Sequence, residues 1–352
     1  VVVIDEAQFI AKRDASFMEA VAKLKKHKLY PGPVLIILAT SSTVWATQEA
    51  AEQFKGAEMK LESLNFLEVV RHFENLPVAE IVRIYGAIGG VPAYLDEWDA
   101  NKSFKENICR LVLTPSGALY GEADAVISAE LRELSAYSTI LAAIARGENK
   151  LNDIFHATGF SRAKISVYLK NLAAFNIVEK VVSFETGGWE NAKKGVYQIK
   201  DTFVNFWFKF VYPNMSNLYL LSPEEFYDTY IEKELDAYLE RYFREVCTEY
   251  LLILNQMGQL PFTIKRVGTW IGKTGRIDIV AQSEDRRSII GFCNWDKPMM
   301  TMDMCENMAM AMEQARLTSD DYYLFSATDF EPALQSYVVR DPRFKLINMN
   351  EL

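Results

Sequence analysis

Two unbroken apolar runs open the chain, Val1-Val2-Val3-Ile4 and Val34-Leu35-Ile36-Ile37-Leu38-Ala39, with a polar stretch between them. Runs of this length, rich in β-branched residues, predict strands buried on both faces of a parallel sheet. Residues 16–26 carry a helical period, so the first forty residues predict a βαβ unit. Helices follow at residues 64–73 and from Pro77, with proline near the first turn, to the glycines Gly86, Gly89 and Gly90. The helical pattern restarts at Val91. Residues 129–146, 151–158 and 161–175 then predict three helices, the first two closed by Gly147 and Gly159 and the third capped by Ser161. Strands at residues 177–184 and 195–200 flank a Gly187-Gly188 turn.

The last third reads as helix through residue 254, then strands at 262–267, 276–282 and 288–294, a helix at 302–317, a strand at 322–325, a helix at 331–338 and a strand at 345–348. The class is α/β throughout. Residues 201–213 hold Phe203, Phe206, Trp207, Phe208, Phe210 and Tyr212. Such a run suits base stacking, yet its spacing favours a hydrophobic bridge between domains. Met300, Met302, Met304, Met308, Met310 and Met312 alternate by two, which wraps them around a helix and predicts burial on several sides.

Composition narrows the classes. At 352 residues the chain has room for two or three domains, and half of it is hydrophobic. No apolar run approaches the roughly 20 residues of a membrane span, and no basic-then-apolar leader is present, so the cytoplasm is the expected location and no membrane partner is expected. Cys109, Cys247, Cys293 and Cys305 are scattered among apolar neighbours without a Cys-x-x-Cys, which predicts buried thiols and no zinc site. The net charge of −9 excludes a generally basic nucleic-acid binder. Residues 150–200 depart from that background, with eight basic against four acidic side chains.

Three places carry candidate chemistry. Asp5 and Glu6 end the first strand at the edge where open α/β sheets bind ligands. This is the Walker B pattern, in which Asp5 holds Mg²⁺ and Glu6 polarises the attacking water; the alternative is two acids capping the next helix. The second strand ends in Thr40-Ser41-Ser42, and Ser41 stands where a polar side chain would sense a γ-phosphate. No G-x-x-x-x-G-K-[ST] loop occurs anywhere in the chain. In the basic segment, the predicted three helices and hairpin form a winged helix-turn-helix. Ser161, Arg162, Lys164, Ser166 and Lys170 on its third helix and Lys193 and Lys194 on the wing would face DNA, while Ile165, Leu169 and Leu172 form the core stripe. A winged helix used only for packing is the alternative. In the last third, Asp278 ends up on a strand next to Phe292 and Asn294.

Asp5-Glu6-Ala7-Gln8, Ser63-Leu64-Asn65-Phe66, Ile84-Tyr85-Gly86-Ala87-Ile88-Gly89-Gly90-Val91-Pro92-Ala93-Tyr94-Leu95, Glu106-Asn107-Ile108 and Leu119-Tyr120 resemble the archaeal-type AAA-related P-loop ATPases of archaea and anaerobic bacteria. The resemblance implies a partial P-loop-type parallel sheet in residues 1–62, a helical lid in 63–128, a winged helix in 129–205, and a helical linker with a PD-(D/E)XK, restriction-endonuclease-like domain in 206–352. It also implies ATP and magnesium as ligands of the full-length protein, with neither expected on this chain alone, because the family's N-terminal third, with its phosphate loop, is absent here. Gly275-Arg276-Ile277-Asp278-Ile279-Val280 resembles the acid-bearing strand of the nuclease-like domain, which makes Asp278 the metal ligand. The family pattern places Glu and Lys where Phe292 and Asn294 stand, so cleavage is expected to be lost and the fold kept. Glu245 remains as a helix carboxylate.

The expected function is therefore a nucleotide-regulated, DNA-associated ATPase-family protein with a nuclease-like domain that no longer cuts. The alternatives are an active metal-dependent nuclease and a non-enzymatic interaction or regulatory module, with a protein partner or a second copy bound.

Overall fold

The computed structural model describes residues 1–26, 34–42, 45–54, 56–128, 131, 133–184, 195–272 and 275–352. It is a mixed α/β protein in which small sheets are set among helices. No described helix is long and apolar enough to cross a membrane.

Strand β1 (Val2–Ile4) pairs in parallel with β2 (Ile36–Leu38), in the register Val2↔Ile36 to Ile4↔Leu38. Helices Ala7–Arg13 and Phe17–Lys26 lie between them in the chain. The strands stand where the apolar runs place them, but they are not buried: Val3 in β1 is 61% exposed and Ile37 in β2 42%. The reason is a lack of neighbours. A strand is covered on both faces only inside a wider, helix-flanked sheet, and among the described residues this pair has no third strand. Ala7, Met18, Trp45 and Ala50 form a small core beside it.

Asn65 opens helix Phe66–His72 with a capping box closed by Glu68, and Pro77 opens Val78–Ile88. The glycine pair after that helix is required. Gly89 has φ 70°, and a Cβ on Gly90 would sit 1.9 Å from the carbonyl oxygen of Leu64. In the middle segment, helices Leu134–Ala145, Leu151–Thr158 and Arg162–Ala174 precede an antiparallel hairpin of β3 (Val178–Val181) and β4 (Val196–Ile199). The first helix starts later than its pattern predicts, with Glu133 at its N-cap. The Gly187-Gly188 turn, Lys193 and Lys194 lie outside the described residues. Helix Thr202–Phe206 is capped by Asp201 and widens into a π turn over Trp207–Val211. Phe203, Phe206, Trp207, Phe208 and Phe210 are all buried, so the aromatic run is core, as its spacing predicts.

The 25-residue helix Glu232–Gln256 lies between this helical region and the main sheet. On one side it crosses Val78–Ile88 so closely that a Cβ on Gly86 would meet Leu239 at 2.4 Å. Tyr238 donates from its hydroxyl to the Gly86 carbonyl at 3.0 Å, and the Asn205 amide donates to the Tyr242 hydroxyl at 2.8 Å. On the other side Phe243 packs on Trp295 and Tyr250 on Phe325.

The main sheet has the order β11-β9-β7-β6-β5. Strands β5 (Arg266–Ile271), β6 (Arg276–Gln282) and β7 (Ser288–Asn294) run antiparallel, while β9 (Asp321–Ser326) and β11 (Phe344–Asn348) continue from β7 in parallel. Two short strands, β8 (Met299–Met300) and β10 (Asp329–Phe330), pair separately. Helices Met302–Ala315 and Pro332–Arg340 cover the face away from the long helix.

Two expectations need correction. Strand β5 begins four residues later than predicted; just ahead of it the side chain of Asn255, not a neighbouring strand, takes the Ile264 N–H at 2.7 Å, and Lys265 N–H makes the first bond to β6, to the Gln282 carbonyl at 2.9 Å. The Met-rich helix buries one stripe, Cys305, Met308, Ala311 and Met312, and leaves Met310 exposed. Only one side of that helix meets the sheet, so spacing of three and four decides burial, whatever the methionine alternation.

Phe206→Ala is expected to cost about 3–5 kcal/mol, as an emptied aromatic site in a packed core does. Phe9→Ala, on an exposed side chain, should stay within about 0.5 kcal/mol. Denaturant unfolding of the two variants beside the parent checks the contrast.

Candidate functional site

The end of the first strand pair builds a polar cluster from both strands. Past the ladder, Ala39 N–H donates to Ile4 O at 2.9 Å and Ala7 N–H to Ala39 O at 3.0 Å, which brings Asp5 and Glu6 beside Thr40 and Ser41. Glu6 has φ 49° and ψ 41°, a left-handed conformation that turns the chain from strand into helix. Its carboxylate accepts from the Gln8 amide and, at 2.9 Å, from the Ser41 hydroxyl. Gln8 is buried; its amide also reaches Ser41 at 3.2 Å, and Thr40 donates to its carbonyl oxygen at 2.6 Å. The hydrogen bond from Gln8, with lesser help from Ser41, holds the Glu6 carboxyl below its ordinary pKa against the opposing cost of burial. Asp5 is exposed, and its carboxylate accepts the neighbouring Glu6 N–H at 2.9 Å. Glu6 and Ser41 thus meet as the pattern predicts, with Asp5 next to them in the chain. Gln8 and Thr40, which fix the direction of Glu6, were not singled out by pattern; their signal was their place beside the acids and the hydroxyls.

In the middle segment, Gly159 with φ 69° and Ser161 as N-cap, its side chain accepting from Lys164 N–H, form the turn between two helices. Ser161, Arg162, Ser166 and Lys170 are exposed and Lys164 is half-buried, while Ile165, Leu169 and Leu172 are buried. Arg162 lies over the Phe155 ring at 3.9 Å and donates to Asn152 at 2.5 Å. Lys164 lies over Phe160 at 4.6 Å and 3.9 Å from Glu133. These contacts hold the two cations on one side of the turn.

The third cluster sits where the β6–β7 ladder ends. Pairing stops at Ile279↔Gly291, and beyond it the Asp278 carboxylate accepts the Cys293 N–H at 3.1 Å. Asp278 is buried. Its other oxygen faces Arg276 Nε at 3.4 Å and Arg244 Nε, from the long helix, at 3.7 Å; Glu240 lies 3.6 Å from Arg244. Burial pushes the Asp278 carboxyl up, against the pull of Arg244, Arg276 and the Cys293 N–H. Burial, and then Arg244, lowers Arg276. Phe292 packs against the core on the far side of the sheet, and Asn294 is buried, donating to Ser326 at 3.0 Å and to Thr328 at 3.2 Å. Glu245 is turned away, accepting from Arg241 Nε at 2.8 Å. Among the described residues no three His, Cys, Asp or Glu side chains gather as a metal site would need. Cys247 and Cys293 lie against each other here, buried as expected for the first and half-buried for the second, with burial raising both thiols.

A family described as archaeal and bacterial proteins of unknown function matches residues 207–310, which span the aromatic turn, the long helix and the Asp278 cluster. An uncharacterized protein of Methanocaldococcus jannaschii is 26% identical over 336 residues, covering 93% of this chain and 74% of the relative. Among solved structures, BpsR of Bordetella bronchiseptica, whose DNA binding is regulated by 6-hydroxynicotinic acid, aligns over 40% of this chain and 93% of its own, at 15% identity and a TM-score of 0.19. Protein VC1899 of Vibrio cholerae aligns over 90% of this chain and 65% of its own, at 11% identity and a TM-score of 0.25. At such scores neither likeness bears on the fold.

Ser41→Ala removes one of the donors that hold Glu6 ionised, so the Glu6 pKa should rise toward its ordinary value; NMR titration of the side-chain carboxyl reads it. The sign for stability follows from the depressed pKa: the contribution is present above the unfolded-state value and is lost as pH falls through the folded one. Ser41→Ala should shrink that acid-side loss.

Proposed function

We propose that the chain belongs to a nucleotide-regulated, DNA-associated ATPase-family protein whose C-terminal region, residues 206–352, is a nuclease-like domain that binds without cutting. The observation that carries this reading is the outward face of helix Arg162–Ala174, where Ser161, Arg162, Ser166 and Lys170 stand exposed after a tight turn and ahead of an antiparallel hairpin. Residues 129–205 would then be a winged helix that lays this face on DNA, its cations meeting phosphates and its capped N-terminus entering a groove.

The strand-end cluster supports the nucleotide part. Asp5 keeps an exposed carboxylate fit to hold a hydrated magnesium ion, Ser41 offers a hydroxyl beside Glu6, and Glu6 is kept ionised to accept a proton from water. Bound ATP and its metal would supply the reactive phosphoryl group and the charge that stabilises its transfer. Residues 1–62 would be the part of a P-loop-type sheet that carries these groups, and residues 63–128 a helical lid. The αβββαβ order of the last third, with Asp278 at the ladder's end, supports the restriction-endonuclease-like assignment.

Arg162→Ala with Lys164→Ala should weaken binding of duplex DNA by about 1 kcal/mol or more and flatten its salt dependence. Titrations at several salt concentrations read both, and unchanged binding would make the turn a packing element. Incubation with plasmid DNA in Mg²⁺ or Mn²⁺ should give no nicking, since Phe292 has no oxygen for a metal and Asn294 no charge for water activation. Metal-dependent nicking that vanishes in Asp278→Ala would promote the active-nuclease alternative.

A further inference from the structure

Two guanidinium groups converge on the one buried carboxylate at the end of the β6–β7 ladder. Arg276 is nearly half exposed, with its side chain 43% accessible, and reaches Asp278 from solvent at 3.4 Å. Arg244 reaches it from the long helix at 3.7 Å, and its Nε is buried with no hydrogen-bond partner among the described residues. A buried N–H left without an acceptor is uncommon and costs free energy, so this guanidinium is left with a hydrogen bond to donate that Asp278 does not take up. Neither contact to Asp278 is short enough to be a hydrogen bond, so the carboxylate is a loose counter-ion for the pair. A divalent cation is disfavoured here by the same two positive charges.

We propose that this cluster is a phosphodiester-binding site in which Arg244 and Arg276 do what a metal ion does in a cutting nuclease: they hold a backbone phosphate of nucleic acid. Asp278 is the internal anion that the phosphate competes with. The planar, always-charged guanidinium suits this role, since its paired N–H groups match two phosphate oxygens. Glu240, 3.6 Å from Arg244, balances the charge of the cluster and orients that side chain. The inference rests on the DNA-associated reading above and names the ligand class for its C-terminal region.

The two roles open to Asp278 predict opposite signs. If Asp278 held a metal, Asp278→Asn would weaken nucleic-acid binding and chelation would abolish it. In the present proposal Asp278→Asn removes the competing anion and tightens binding, while chelation does nothing. The experiment uses the full chain, a short fluorescein-labelled duplex DNA and fluorescence anisotropy in EDTA, with thermal melting of each variant recorded beside it. Arg276→Gln, on the more exposed side chain, should weaken binding about tenfold, which is about 1.4 kcal/mol. Arg244→Gln should do the same, and if it fails to fold, Arg276→Gln carries the test. Asp278→Asn should tighten binding severalfold.

Weaker or unchanged binding in Asp278→Asn, unchanged binding in Arg276→Gln, or dependence on Mg²⁺ would overturn the proposal. Arg162→Ala with Lys164→Ala separates it from the reading it rests on. A loss in that variant alone leaves the DNA association standing and the cluster a structural ion pair, whereas no binding by the parent chain removes both.

Discussion

The helix Glu232–Gln256 has to be apolar on two sides at once, and most of the molecule follows from that requirement. Leu239 and Tyr242 press on Gly86, while Phe243, Cys247 and Leu251 face the sheet. A helix sandwiched in this way has only narrow strips left for charge. Its arginines lie on those strips, held by partners close at hand: Arg241 by Glu245 and Arg244 by Glu240, each four residues apart. Its two inward-facing tyrosine hydroxyls are paired: Tyr238 with the Gly86 carbonyl and with Tyr242, and Tyr242 with Asn205. Such a network fixes the register of the crossing, since a shift of one turn would leave each of these groups without its partner.

Much of this was legible in the chain. Strands β6 and β7 lie at the predicted limits because each holds an apolar run, residues 279–281 and 289–293, between polar ends, a pattern that needs no tertiary information. The helix at 151–158 ends where Gly159 predicts, and the helix at 162–174 begins where Ser161 predicts. What failed was decided by contacts between distant residues. Just ahead of β5 the side chain of Asn255, nine residues away, takes the Ile264 N–H, and the Met-rich helix is buried by the sheet it meets. The exposed first strand pair is a third case: its composition speaks for burial, and its surroundings do not provide it.

The candidate sites divide in the same way. Asp5, Glu6 and Ser41 could be brought together on paper because a βαβ unit has few ways to fold. Gln8 was harder to see, since an amide on a helix carries no pattern of its own, yet it fixes the Glu6 carboxylate from one side while Ser41 fixes it from the other. At Asp278 the acid was legible and its company was not. Arg276 is two residues away in sequence, but Arg244 is 34 away and arrives only through the packing of the long helix on the sheet.

Arg241 and Arg244 stand less than one turn apart on that helix. The first donates to the Ile199 carbonyl at 2.8 Å, on the returning strand of the hairpin, and the second faces Asp278 in the main sheet. The hairpin and the Asp278 cluster therefore hang on one stretch of rigid helix about 4.5 Å long, so a rotation of that helix would move both contacts together.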